Sequence, residues 1–214
     1  MLAICIDTKA IGITIAFTAL ATALNFIRIP VPYMPTFYYQ MGDVALVIAF
    51  LLFGLRIGLT VAALNMVVTM TIFYSPGGLV GPPYYLVSVL TTVLGVCLFE
   101  KLVKPKISQS KAYHGAKPAV LCTICGVLTR TLLMFPLDYG VFGFLVSIVS
   151  GLSIPAAYAI VLASMPGIIL YNITVPIYVI PTSYYIATQV SKHSGNLLQT
   201  PSNRKAEESN SCLL

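Results

Sequence analysis

Long uncharged apolar stretches alternate along this chain with short segments that hold most of its charges and prolines. Residues 11–27 and 44–55 contain no charged side chain, whereas 101–117 carries five lysines, Lys101, Lys104, Lys106, Lys111 and Lys117. A helix needs about 20 apolar residues to cross a bilayer. Six segments meet or approach that length, at residues 8–27, 42–55, 57–74, 84–103, 118–135 and 165–190. The second is short and is followed by Arg56. The pattern predicts an all-α integral membrane protein, a bundle of about six transmembrane helices.

Breakers separate these segments. Pro30, Pro32 and Pro35 stiffen the first connection, and Ser75-Pro76-Gly77-Gly78 with Gly81-Pro82-Pro83 forms another; both are expected to be ordered but not helical throughout. Residues 140–164 are apolar enough for a seventh span, yet they contain Gly140, Gly143, Gly151, Ser147, Ser150, Ser153 and Pro155. We expect there a loop and a packed helical piece on the outer side, because irregular backbone at membrane depth survives only when buried in protein. The chain divides into a membrane domain, residues 1–190, and a polar tail, 191–214, expected to be disordered.

Composition agrees. Of 214 residues 58% are hydrophobic and 8% charged, against about 25% charged in soluble domains. The net charge of +6 does not point to nucleic acid, because the basic residues sit at the ends of apolar runs. With the N-terminus inside, Lys9, Arg56, Lys101, Lys104, Lys106, Lys111, Lys117, Lys192, Arg204 and Lys205 are cytoplasmic and Arg28 alone is outside, with Arg130 inside a span. The positive-inside rule therefore puts both termini in the cytoplasm. The N-terminus lacks a charged leader followed by a cleavage site, so the first apolar segment is expected to remain as a span.

Chemistry is sparse. Five scattered cysteines make no disulfide framework, and Cys122-x-x-Cys125 lies in an apolar run with no second pair to complete a metal site. Cys212 is third from the end and does not meet the prenylation signal. There is no glycine-rich nucleotide loop, no H-E-x-x-H and no pair of carboxylates placed for proton relay. The chain is therefore not expected to be an enzyme or to power transport by itself.

The candidates that remain are few. Arg130, within the fifth span, could snorkel, pair with Asp43 or Asp138, or meet an anionic or carbonyl-bearing ligand. Tyr33, Phe37, Tyr38, Tyr39, Tyr74, Tyr84, Tyr85 and Tyr139 crowd the outer helix ends, either as an interfacial belt or as pocket walls. Tyr38-Tyr39-Gln40, beside Asp43, is suited to a lid that stacks on a planar ligand. Gly12, Ala16, Ala19 and Ala23 recur at steps of four, three and four on the first helix. Such a stripe permits close approach of a helix, either within the bundle or from another membrane subunit.

The order of these features resembles the substrate-binding S components of energy-coupling factor (ECF) vitamin transporters, most closely the riboflavin-binding branch. The residues concerned are Ala19 to Ala23, Ile29-Pro30-Val31-Pro32, Tyr39-Gln40-Met41-Gly42-Asp43-Val44 leading to Phe53-Gly54, Phe135-Pro136-Leu137-Asp138-Tyr139, and Asn172 early in the last helix. The branch tends to carry a Lys-Asn pair on the third helix, and here that pair is Leu64-Asn65. The resemblance spans about residues 8–190 and implies a cell-membrane protein that captures a small vitamin such as riboflavin from outside. Together with the aromatic residues and the intramembrane arginine singled out above, it gives Tyr38, Tyr39, Gln40, Asp43, Asn65, Tyr74, Tyr84, Arg130 and Asn172 as the expected substrate-binding residues, with no cofactor beyond the transported vitamin. Its implied partners are a transmembrane coupling subunit, docked on Gly12, Ala16, Ala19 and Ala23, and two cytoplasmic ATPases. The other readings are a stand-alone secondary carrier or channel gated by Arg130 and Asp43, and, less favoured, a membrane enzyme using Asp43, Asn65 or Arg130.

Overall fold

A computed structural model describes residues 8–72, 81–103 and 117–194. Helix α1 runs Thr8–Leu24 and leads into two antiparallel strands, β1 Arg28–Val31 and β2 Met34–Gln40. Then come α2 Gly42–Ile72, α3 Gly81–Leu98 with a π turn Phe99–Val103, and α4 Lys117–Leu137 with a second π turn Asp138–Phe142. Helix α5, Gly143–Ser150, and the 41-residue α6, Ile154–Ser194, complete the order. Tyr74, the basic connection 104–116 and the tail from 195 lie outside the described residues.

Four helical stretches, Gly42–Ile72, Gly81–Leu102, Lys117–Ser150 and Ile154–His193, are long and apolar enough to cross a membrane, and Thr8–Leu24 is a shorter apolar helix. This is a multi-pass membrane protein. Large apolar side chains such as Leu128, Leu132, Phe135, Ile148 and Leu162 stand exposed on its surface, as lipid-facing positions do. The second and third of the expected segments are the two arms of one element, α2. Its bend lies at Gly54, where φ is 84° and ψ is −179°, a conformation open essentially only to glycine. A side chain on Gly58 would strike the Phe50 backbone, although eight residues of straight helix span about 12 Å. The chain thus doubles back at Gly54.

Two connections take a more definite form than the hydropathy pattern gave them. The proline-rich first connection is ordered and not helical, as expected, and forms a β-hairpin with Arg28 opposite Gln40 and Pro30 opposite Tyr38 inside a predominantly helical fold. Three prolines bar helix there and favour extended backbone. The last helix begins at Ile154 and not at 165. The Ser153 carbonyl accepts from Ala157 N at 3.0 Å, and Pro155 sits in the first turn, where its missing N–H costs nothing. Within 140–164 the π turn and α5 supply the expected helical piece, which ends at Gly151 with φ 69°. Pro136, in the last turn of α4, withholds a backbone donor just before the π turn.

The first arm of α2 is the axis of the bundle, with Gly42 to Phe50 buried without interruption. Around it pack Val89, Val93, Val96 and Phe99 from α3 and its π turn, Cys122 from α4, and Val175, Val179 and Ile180 from α6. Because lipid is as apolar as the core, helix association here relies on close fit. Gly95 faces the Gly126 backbone, and Gly126 faces Ile180. A second cluster, Val161, Met165 and Ile168, packs with Met34, Phe37, Phe142 and Val146 and seats the hairpin on α5 and α6.

Gly54→Ala is expected to destabilise the protein by about 1–3 kcal/mol, read as a lower unfolding midpoint in detergent. Gly12→Ala, whose added methyl meets nothing within 4 Å, is expected to leave that midpoint in place.

Candidate functional site: a buried polar relay beside an aromatic cavity

Arg130 is 2% exposed in the middle of the helices. Its Nε donates to Asn172 Oδ1 at 3.2 Å and its Nη1 to Thr92 Oγ1 at 3.0 Å, joining α4 to α6 and α3. An arginine only donates, so this bond fixes the orientation of the Asn172 amide. Asn172 Nδ2 then donates to Asp138 Oδ2 at 2.7 Å. The Tyr84 hydroxyl donates to the other oxygen, Asp138 Oδ1. Asp43 accepts from the Tyr85 hydroxyl and lies in the field of Arg130. The guanidinium also stands 5.8 Å from the Tyr171 ring centroid, a cation–π distance.

Beside this relay is a cavity of about 380 Å³. Its polar wall includes Gln40, Ser88, Tyr85, Asp138 and Asn172; Met134, Leu145, Val146 and Ile168 give an apolar one. Four further lining rings form a chain of contacts: Tyr171 with Phe37 at 5.0 Å, Phe37 with Phe142 at 6.2 Å, and Phe142 with Tyr84 at 5.6 Å. The hairpin covers one side through Phe37, Tyr38 and Gln40, with Arg28 at its start.

The hairpin is tied to α6 mainly through tyrosines. Tyr171 donates to the Tyr38 carbonyl at 3.1 Å and Tyr178 to the Gln40 carbonyl at 3.2 Å. The Tyr33 and Tyr39 hydroxyls bond one another at 2.8 Å, and both reach Thr174 Oγ1, at 3.0 and 2.9 Å. Desolvation raises the Tyr33 pKa above its ordinary value, so the phenol stays neutral at physiological pH. Tyr39 also stacks on Tyr171, with centroids 5.8 Å apart.

The sequence-derived candidates therefore separate. Tyr38, Gln40, Tyr84 and Asn172 line the cavity; Tyr39 braces the hairpin, and Asp43 and Arg130 stand behind the wall. Asn65 sits elsewhere, in the α1–α2 seam, where its Oδ1 accepts from Thr22 Oγ1 at 3.1 Å and Asn25 Nδ2 at 3.4 Å. Sequence reasoning passed over Ser88, Phe142 and Tyr171. Tyr171 was accessible only as the neighbour of Asn172.

On the other side of α1, Gly12, Ala16, Ala19 and Ala23 are all exposed. Ala19 and Ala23 floor a groove of about 490 Å³ walled by Ile15, Phe26, Leu64 and Val68. Among the described residues the stripe is thus not consumed by packing, and α1 turns Thr14, Thr18, Ala21 and Thr22 inward.

No family model matches the chain, and no curated protein does. Among solved structures it is similar to one described as the S component of a bacterial ECF transporter, at 21% identity and a TM-score of 0.60, over 90% of this chain and 98% of that one. It is also matched by the S component for biotin of an ECF-type ABC transporter, at 18% identity and a TM-score of 0.46, over 86% and 92% of the two chains. The first likeness shows a shared fold, that of an ECF S component.

Arg130→Met would strand the side-chain carbonyl of Asn172, leave the Thr92 hydroxyl only its bond to the Ser88 carbonyl, and remove the cation whose field Asp43 feels. A loss of about 1–3 kcal/mol per stranded group is expected, measured as a lower unfolding midpoint in detergent.

Proposed function

We propose that this chain is the substrate-capturing S component of an ATP-driven ECF-type importer, a binding subunit and not an enzyme, which takes a small vitamin of the riboflavin kind from outside the cell. The observation that carries the proposal is the cavity itself, covered on one side by the hairpin and walled by aromatic rings against a buried polar relay. Its volume falls in the range of about 300–1,000 Å³ usual for small-molecule sites, which combine apolar walls with a few placed polar groups. The similarity in fold to an ECF S component supports the same reading.

In this reading the hairpin end faces outward and the termini face the cytoplasm. The hairpin acts as a cover, seated on α5 and α6 by tyrosine hydroxyls and by the packing of Met34 and Phe37. The exposed groove along Ala19 and Ala23 receives a helix of a transmembrane coupling subunit, which two cytoplasmic ATPases drive. Arg130 and Asn172 hold the polar wall in shape, and Gln40, Tyr38 and Tyr84 meet the ligand.

Titration of the purified protein with riboflavin and other B-type vitamins tests the proposal. Binding of one of them is expected; no binding, together with no coupling subunit in the purified complex, contradicts it. Asn172→Ala is expected to weaken that binding by about 1–3 kcal/mol with expression intact. Ala19→Leu or Ala23→Leu is expected to spare binding and block assembly with the coupling subunit, read by co-purification. Uptake by this chain alone in liposomes would instead make it a self-sufficient carrier.

A further inference from the structure

The relay has a direction and an imbalance. Arg130, Asp43 and Asp138 are all at least nine-tenths buried, so the cluster holds two carboxylates against one guanidinium. Arg130 does not line the cavity, and its bonds go to Thr92 and Asn172. Asp43 does not line it either. The carboxylate that does is Asp138. Both its oxygens accept from the protein, from Asn172 Nδ2 and from the Tyr84 hydroxyl. A carboxylate has about four acceptor positions, so two remain for a ligand.

The aromatic chain from Tyr171 through Phe37 and Phe142 ends on Tyr84, the ring whose hydroxyl touches Asp138. A flat ring laid along that wall would bring one edge to the carboxylate. Among the described residues the one lining cation is Arg28, half-buried at the start of the hairpin, with its Nε 3.3 Å from the Asn25 carbonyl. It lies on the cover and not in the buried relay.

From these placements, and resting on the proposed function, we infer that the cavity selects a flat ligand, neutral or cationic, whose N–H donors meet the Asp138 carboxylate, and rejects one that must bury a carboxylate or phosphate there. Asp138 is the specificity-determining residue. Arg130 and Asn172 are positioning residues: Arg130 fixes the Asn172 amide, and that amide aims the Asp138 carboxyl group. An anionic group at the buried end would face Asp138 without a cation of its own, whereas an amino or imide N–H would complete its hydrogen bonds.

The test is a titration of the wild-type protein in nanodiscs with four probes: thiamine, a cationic aminopyrimidine; riboflavin, neutral with an imide N–H; and the carboxylates biotin and nicotinate. The tightest ligand is expected to be thiamine or riboflavin, with both carboxylates weaker by roughly 100-fold or more. Asp138→Asn is expected to weaken the preferred ligand by roughly 10- to 100-fold, while the variant still assembles with the coupling subunit. Asp138→Glu, which keeps the charge, is expected to recover part of that loss. Tightest binding of biotin or nicotinate, or unchanged affinity in a folded Asp138→Asn variant, would overturn the inference yet leave a vitamin-binding S component standing. If no probe binds and no coupling subunit is captured, the proposed function fails and the inference fails with it.

Discussion

A guanidinium inside a membrane protein must be given acceptors, because water is absent and an unpaired charge there is costly. Arg130 is nearly fully buried, and its two bonds tie α4 to α3 at Thr92 and to α6 at Asn172. Three helices are thereby fixed at one level along the bundle. The consequence runs on through Asn172, whose amide has one permissible orientation once Arg130 donates to it, and so to Asp138. The polar wall of the cavity is in this sense a product of one buried charge.

Backbone geometry places the remaining parts. The bend at Gly54 returns the chain so that the first arm of α2 can be buried throughout while the second packs with α1. Pro136 precedes the π turn that carries Asp138 to the end of α4. The hairpin, kept out of helix by its prolines, spans the mouth and leaves Tyr38 and Gln40 on the cavity. Helix α1 divides its faces, with threonines turned toward α2 and the small-residue stripe left open. One face packs within the fold and the other stands exposed.

How far the sequence disclosed this depends on the kind of signal. Long uncharged runs marked the helical stretches because the length of a bilayer-crossing helix leaves little choice. The break between residues 55 and 57 was legible from Arg56, but the device that makes it, a glycine at φ 84°, leaves no hydropathy trace. The start of α6 was placed 11 residues too late, since glycines, serines and Pro155 read as loop when Ser153 and Pro155 in fact open a helix. Arg130 stood out as a lone intramembrane charge, and Asp138 was named as a partner, yet the asparagine that joins them acts over 42 and 34 residues of separation. Contacts of that range arise from tertiary packing and have no local pattern. Asn65 shows the reverse case: a resemblance assigned it to the ligand, and packing puts it in the α1–α2 seam.

The central claim is that the cavity beside this relay, and not the groove on α1, is where a small molecule is held. An experimental structure of the protein with riboflavin, or with whatever vitamin it retains through purification, tests that most directly. The account predicts density for a flat ring against Tyr84 and Phe142, with a polar edge within hydrogen-bond reach of Asp138. Ligand density in the Ala19–Ala23 groove, with the cavity collapsed, would contradict it.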